Sequence, residues 1–248
     1  MTTRTSVSCA SATAPERLCA LLAALLLAPA VAGGEPVRVS PARDAAAAGL
    51  VEVRTLAPGI RVEARYAGPD NFTGAPVPGY EGNACLLLRP VAEALARVQQ
   101  DLQAEGLGLL VYDCYRPVRA VQAFMHWARA DDDPGQKARW YPRVDKDALV
   151  PEYIADSSGH SRGATVDLTL VRCDGDGRCE PLDMGTPFDF FDPSAHTDAP
   201  VAPAQQANRQ RLRAAMEAGG FRNYPREWWH YTLDPEPDPT LAYDVPVR

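Results

Sequence analysis

Two of the four histidines in this chain sit in company that could do chemistry. His160 closes the loop Ser157-Ser158-Gly159-His160, and Asp167 follows in the run ATVDLTLV at 164–171. His230 lies in Glu227-Trp228-Trp229-His230-Tyr231. Two imidazoles and a carboxylate meet the needs of a catalytic zinc, which takes three N or O ligands and keeps one position open for water. Such a centre also needs a carboxylate beside the water, to take its proton and hand it to the leaving amine. Glu227 is the candidate. Residues three apart on a regular strand face opposite sides, so this reading requires a strand end or bulge at Glu227. By residue type and spacing alone a structural role stays open, because a buried His is more often a satisfied core residue than a ligand. His126, inside a helix, and His196, in a loop, are read as structural. Asp174 and Asp176 in the DGDG stretch lack the rest of a calcium loop and read as a hairpin turn. The chain has no G-x-S-x-G elbow, no P-loop and no dinucleotide fingerprint.

These residues need elements to hold them. Residues 51–66 alternate apolar and polar in two short pieces, as strands do. Residues 67–82 read as loop. From 89 to 103, Val91, Leu95, Val98 and Leu102 fall at helical spacing, with Gly106 as the stop. LLVYD at 109–113 is a short buried strand. Pro117 opens a helix to about 130, with Val118, Val121, Phe124 and Met125 inward. Residues 131–150 are a polar excursion, 164–171 a strand, and 181–203 an ordered loop over a site. Residues 204–218 form a helix ended by Gly219-Gly220, and 227–233 a last strand. There is no βαβ repeat, which predicts an α+β fold: a small antiparallel sheet with flanking helices.

Composition narrows the class. The 248 residues are 46% hydrophobic and 23% charged, the balance of a soluble globular domain. A net charge of −7, with no basic run, argues against a nucleic-acid partner. The first 32 residues have the layout of a secretory signal peptide: Arg4 and Arg17, an apolar run from Leu18 to Ala28, then Ala30-Val31-Ala32 as a cleavage pattern. The run is too short for a stable membrane anchor. Residues 33–50 read as a flexible leader and 51–248 as the catalytic domain, exported and periplasmic. Cys9 and Cys19 would leave with the signal. Four cysteines remain, Cys85, Cys114, Cys173 and Cys179, and three pairings are open. Cys173 and Cys179 bracket a turn-forming stretch and would staple a hairpin, which leaves Cys85 for Cys114. The C-x2-C spacing of a zinc knuckle is absent.

At SSGHSRGATVDLTL and EWWHY the chain resembles the VanX-type D-alanyl-D-alanine dipeptidases, zinc enzymes that share a fold with the Hedgehog signalling domain. DNFTGAPVPGYEGN at 70–83, DCYRPVRAVQAFMHW at 113–127, MGTPFDFFD at 184–192 and NRQRLRAAMEAGGF at 208–221 carry the likeness across residues 51–248. The resemblance implies one zinc per subunit on His160, Asp167 and His230. It implies Glu227 as general base and then acid, and Arg116 as the group that stabilises the developing oxyanion. Tyr66, Ser158 and Asp189 match positions that line the substrate pocket, with Asp189 the partner of the substrate ammonium. The implied reaction is hydrolysis of a small D,D-dipeptide, D-Ala-D-Ala, to two D-alanines. The alternative on the same scaffold is a D,D- or L,D-carboxypeptidase acting on peptidoglycan stems. Two departures stand out: Gly159 precedes His160, and Cys114 stands where the family pattern leads one to expect Gly, with a disulfide to Cys85 as the compensation. An exported enzyme would meet dipeptide outside the inner membrane, which favours wall-fragment turnover or salvage over glycopeptide resistance. Oligomeric state is not legible in the sequence.

Overall fold

The computed structural model describes residues 36–174 and 177–248. The signal-peptide reading, with Cys9 and Cys19, and Asp176 of the hairpin lie outside the described residues. Among the described residues no helix is long and apolar enough to cross a membrane.

The chain opens with β1 (Arg38–Val39) and β2 (Leu50–Glu52), then β3 (Arg61–Val62) and β4 (Leu86–Leu88). Helix α1 (Arg89–Gln103) leads through a tight turn into β5 (Leu107–Asp113). Helices α2 (Val118–Arg129) and α3 (Pro134–Trp140) come next, followed by β6 (Thr165–Cys173) and β7 (Cys179–Pro181). Helix α4 (Pro203–Ala218), β8 (Phe221–Asn223), β9 (His230–Leu233) and β10 (Leu241–Ala242) complete the order. The central sheet runs β3-β5-β6-β9-β8, with β7 also on β6. Only the β3–β5 pair in it is parallel. The architecture is α+β, as the lack of a βαβ repeat predicts.

Burial explains why β5 and β6 read as apolar runs. Every residue of β5 is buried, and so is β6 from Thr165 to Val171. A strand covered on both faces loses its in–out alternation. Helices α1 and α4 pack against this sheet and each other. The buried stripe of α1 holds Val91, Leu95, Val98 and Leu102, the residues whose spacing predicts the helix. Strand alternation in β6 separates Val166, Leu168 and Leu170 from Thr165, Asp167 and Thr169. The polar set carries the site.

Two readings of the sequence need correction. Residues 36–50 are not a loose leader. The Arg38 and Ser40 amides donate to the Thr240 and Ala242 carbonyls at 2.8 Å each, so β1 is paired with β10, and Leu50 begins β2. The pairing partner lies some two hundred residues away, so no local pattern announces it. Residues 131–150 are not merely an excursion: Asp133 caps α3 by accepting from the Gly135 and Gln136 amides, and Trp140, Tyr141 and Leu149 are buried. That segment lacks apolar periodicity, although Asp133-Pro134 is a helix-start signature. Strand β8, only three residues long, is too short to show a period in the sequence.

The 181–203 loop is held from below by one side chain. Arg209 on α4 is fully buried and donates to three carbonyls: Met184 at 2.7 Å, His196 at 2.7 Å and Ser194 at 3.0 Å. The His196 carbonyl also accepts from the Ala199 amide at 2.9 Å, while the guanidinium fork reaches all three. We expect Arg209→Met to lower unfolding free energy by about 3 kcal/mol or more, since each buried acceptor stripped of its donor costs roughly 1–3 kcal/mol. Arg222→Met, at a side chain 71% exposed, should stay within about 0.5 kcal/mol of wild type. Equal denaturant midpoints for the two variants would refute this.

Candidate active site

Sheet register assembles the centre. On β6, Asp167 lies opposite His230 on β9 and opposite Asp113 on β5. Directly opposed residues point to the same face with Cβ atoms about 5 Å apart. The β5–β6 register shifts between Val111 and Asp113. That bulge brings Asp113, rather than Tyr112, level with Asp167. His160 enters from a short 3-10 turn, His160–Arg162, just before β6.

The predicted ligands converge. One ligand atom each from His160, Asp167 and His230 lies within 4.8 Å of the others, and no other such group of His, Cys, Asp or Glu occurs among the described residues. Asp167 Oδ2 is 3.3 Å from His160 Nε2, and Asp167 Oδ1 is 3.0 Å from His230 Nδ1. The two ring nitrogens are 3.3 Å apart. His160 Nδ1 donates to the Cys114 carbonyl at 2.6 Å, so its Nε2 presents a lone pair to the cluster. Asp167 Oδ1 is buried yet accepts no hydrogen bond. Lone pairs facing one another beside an unsatisfied carboxylate oxygen suit a shared divalent cation, and two imidazoles plus one carboxylate is a zinc donor set. Burial alone would raise the Asp167 carboxyl, but His160 and His230 beside it hold it below the usual carboxylate range. Burial lowers His230, favouring the neutral ring that a metal needs.

Glu227 resolves the spacing problem. Strand β9 starts only at His230, so Glu227 belongs to the preceding turn, where its amide donates to the Tyr224 carbonyl at 3.0 Å. The turn swings its carboxylate back, and Oε2 lies 3.5 Å from His230 Nδ1. Burial raises Glu227 well above the usual range, with Asp167 and Asp189 adding to the effect.

Arg116 hangs over the same space. It bonds Asp113 Oδ2 through Nε at 3.0 Å, and its terminal nitrogen is 3.6 Å from Asp167 Oδ2. The guanidinium rests on the Phe124 and Tyr66 rings, 5.0 and 5.3 Å from their centroids. Burial opposes its charge, but Asp113 and the surrounding anionic groups more than offset this. Asp113 itself, whose second oxygen accepts from Tyr80 Oη at 2.6 Å, is a residue that sequence reasoning missed. Its signal was the Asp at the end of LLVYD, three positions before Arg116.

Asp189 and Tyr66 line the same cavity. Tyr66 Oη donates to Asp189 Oδ2 at 2.9 Å, and both residues are buried. Asp189 has φ +58°, a left-handed conformation that Asp tolerates better than most residues but that still carries strain. Burial raises its carboxyl well above the usual range, and nearby Asp167 pushes the same way. A cation brought against it would restore the charged form. The cavity, about 220 Å³, is lined by the three ligands, Glu227, Asp189 and Ser158 among others. Ser158 Oγ accepts from the His160 amide at 3.2 Å, so its own hydrogen remains available to the cavity. The outer wall is 151–155, tied down by Tyr224 Oη to the Glu152 carbonyl and Tyr153 Oη to His196 Nε2. His196 and the exposed His126 take no part in the ligand cluster. Both disulfides form, Cys85–Cys114 and Cys173–Cys179, the second closing the β6–β7 hairpin.

Gly159 is explained by its neighbour. A Cβ there would lie 2.4 Å from Thr165 Oγ1, which itself pairs with Thr232 Oγ1 at 2.9 Å. The close approach lets the 157–160 loop lie on β6 and aim both Ser158 and His160. Gly159→Ala should therefore cost about 1–3 kcal/mol of stability by overpacking. Adding Thr165→Ala should recover part of that loss in a double-mutant cycle; strictly additive losses would contradict the account.

Known proteins are similar to this chain over most of its length. The family model described as D-ala-D-ala dipeptidase matches residues 46–247. A D-alanyl-D-alanine dipeptidase of Streptomyces coelicolor is 45% identical over 197 residues, covering 79% of this chain and 96% of the relative. One from Enterococcus faecium is 43% identical, covering 77% and 94%, and one from Escherichia coli 37%, covering 74% and 84%. With its ligand cluster, acid–base candidate and small cavity in place, this chain belongs to the D-Ala-D-Ala dipeptidase family.

Proposed function

We propose that the protein is a zinc-dependent dipeptidase that hydrolyses D-Ala-D-Ala to two D-alanines, with one zinc per subunit on His160, Asp167 and His230. The observation that carries this reading is the cavity. At about 220 Å³ it is smaller than the roughly 300–1,000 Å³ usual for ligand pockets, and a buried carboxylate, Asp189, lines it together with the ligand cluster. Such a carboxylate accepts a free ammonium and has no use for an acylated nitrogen.

Each residue has a task set by its position. Asp189, steadied by Tyr66, holds the substrate ammonium, and the Ser158 hydroxyl donates to the substrate. When bound, zinc lowers the pKa of water towards about 7 and polarises the scissile carbonyl. Glu227 takes the water proton and delivers it to the departing amine. Arg116, its planar charge fixed by Asp113, meets the negative charge that grows on the carbonyl oxygen. Water is limited by the aromatic walls of Phe72, Phe124, Phe191 and Trp229.

The test is a comparison of D-Ala-D-Ala with N-acylated D-Ala-D-Ala on the purified protein, before and after chelation. Free dipeptide should be cleaved, the acylated form spared, and chelation should abolish turnover that zinc then restores. Cleavage of the acylated form alone would instead make the protein a carboxypeptidase on stem peptides. Glu227→Gln should keep zinc while kcat falls at least about 10²–10⁴-fold; unchanged kcat would remove Glu227 from its role.

We also infer that the enzyme is exported to the periplasm and acts in wall-fragment turnover, with no nucleic-acid partner and no stable membrane anchor. The A-x-A pattern at Ala30-Val31-Ala32 and the presence of two disulfides support this. Cell fractionation with N-terminal sequencing should find a mature chain starting near Gly33 outside the inner membrane; full-length protein in the cytoplasm would overturn export.

A further inference from the structure

His160 is steered from behind by a single backbone atom. Its Nδ1 donates to the Cys114 carbonyl at 2.6 Å, which leaves Nε2 facing Asp167 and His230. The contact is reciprocal, because the Arg116 amide donates to the His160 carbonyl at 3.2 Å. The 113–116 turn therefore carries Asp113, the Cys114 carbonyl and Arg116 within four residues. That turn is tied to the start of β4 by one backbone bond, Tyr115 amide to Leu86 carbonyl at 2.9 Å, and by one covalent bond, the buried Cys85–Cys114 disulfide.

A neutral imidazole can place its proton on either nitrogen, and the partner of one nitrogen decides the state of the other. Here a second acceptor is close: Asp113 Oδ2 lies 3.5 Å from His160 Nδ1. That oxygen is the one that holds Arg116. If the Cys114 carbonyl moved away, Nδ1 would turn towards Asp113 and compete with Arg116 for it. The ring would leave its aim on the cluster, and the guanidinium would lose its anchor.

We propose that the Cys85–Cys114 disulfide positions the metal ligand His160: it fixes the Cys114 carbonyl, and the affinity of the cluster for zinc depends on that bond. The proposal rests on the zinc reading above. Cys114 and Cys85 are positioning residues, since they act only through His160. The Cys173–Cys179 bond provides the comparison, as it closes a hairpin far along β6 from Asp167 and touches no ligand.

The experiment measures zinc affinity by chelator competition on the full chain, in wild type, Cys85→Ala/Cys114→Ala and Cys173→Ala/Cys179→Ala. Both double variants lose a cross-link and should melt earlier, the first by more because its residues are 29 apart rather than 6. Only the first should bind zinc more weakly, by roughly 10–100-fold, the usual effect of losing support behind a ligand. Its kcat should fall as well, through Arg116. Equal zinc affinity in all three proteins overturns the proposal while leaving the zinc reading intact. Failure of wild type to bind zinc sinks the zinc reading itself. If the Cys85/Cys114 variant does not fold, zinc-loaded wild type is reduced with a trialkylphosphine, which becomes its oxide as each disulfide gains two electrons and two protons. Zinc extraction must then accelerate as the Cys85 and Cys114 thiols appear, identified by alkylation. An extraction rate independent of those thiols overturns the proposal.

Discussion

Asp167 is a carboxylate on the middle strand of the central sheet, in a stretch buried on both faces, and it must be matched by positive charge. An unpaired ion there would cost several kcal/mol in lost solvation. The surroundings answer that requirement from three directions: His160 from the loop before β6, His230 from the adjoining strand, and Arg116 from the turn after β5. Yet Asp113, Asp189 and Glu227 are buried close by, so the side chains alone leave an excess of negative charge. On the proposed reading, a divalent cation on the His160–Asp167–His230 cluster and a substrate ammonium against Asp189 would supply the missing positive charge.

The same excess sorts the acids by task. Asp167 stays anionic because two imidazoles face it. Asp189 and Glu227 share the low-dielectric cavity with little to stabilise their charge, so both are raised by burial. One is thereby poised to gain from an arriving cation and the other to carry a proton. Asp113 serves differently, spending its two oxygens on Tyr80 and Arg116. Environment alone thus lowers one of these four acids, Asp167, and raises the other three.

Precision comes from the parts behind the site. Arg209 clasps the loop that presents Asp189; the 113–116 turn clasps His160; Gly159 lets the Ser158 loop lie flat on β6. Each uses backbone atoms as the fixed reference, because a carbonyl or amide in a packed element moves less than a long side chain. The wall at 151–155 is pinned at two points, by Tyr224 Oη on the Glu152 carbonyl and by His196 on Tyr153 Oη.

Much of this was legible in the linear chain. Helix α1 follows from four apolar residues at helical spacing, and the donor types of His160, Asp167, His230 and Glu227 admit a metal centre while leaving a structural role open. Motif resemblance added Arg116, Tyr66, Ser158 and Asp189, all of which line one cavity. The pairing of β1 with β10 could not be read, because it joins the two ends of the domain through backbone bonds that leave no periodicity. Nor could Asp113, whose place beside Asp167 depends on a bulge in β5. The spacing of Glu227 from His230 looked wrong for a strand and is right for a turn, a distinction settled by where Asn223, Tyr224 and the β8–β9 pairing stop the ladder. Residue types fix which chemistry is available. Register, turns and burial decide which atoms meet, because those depend on partners far away in the chain.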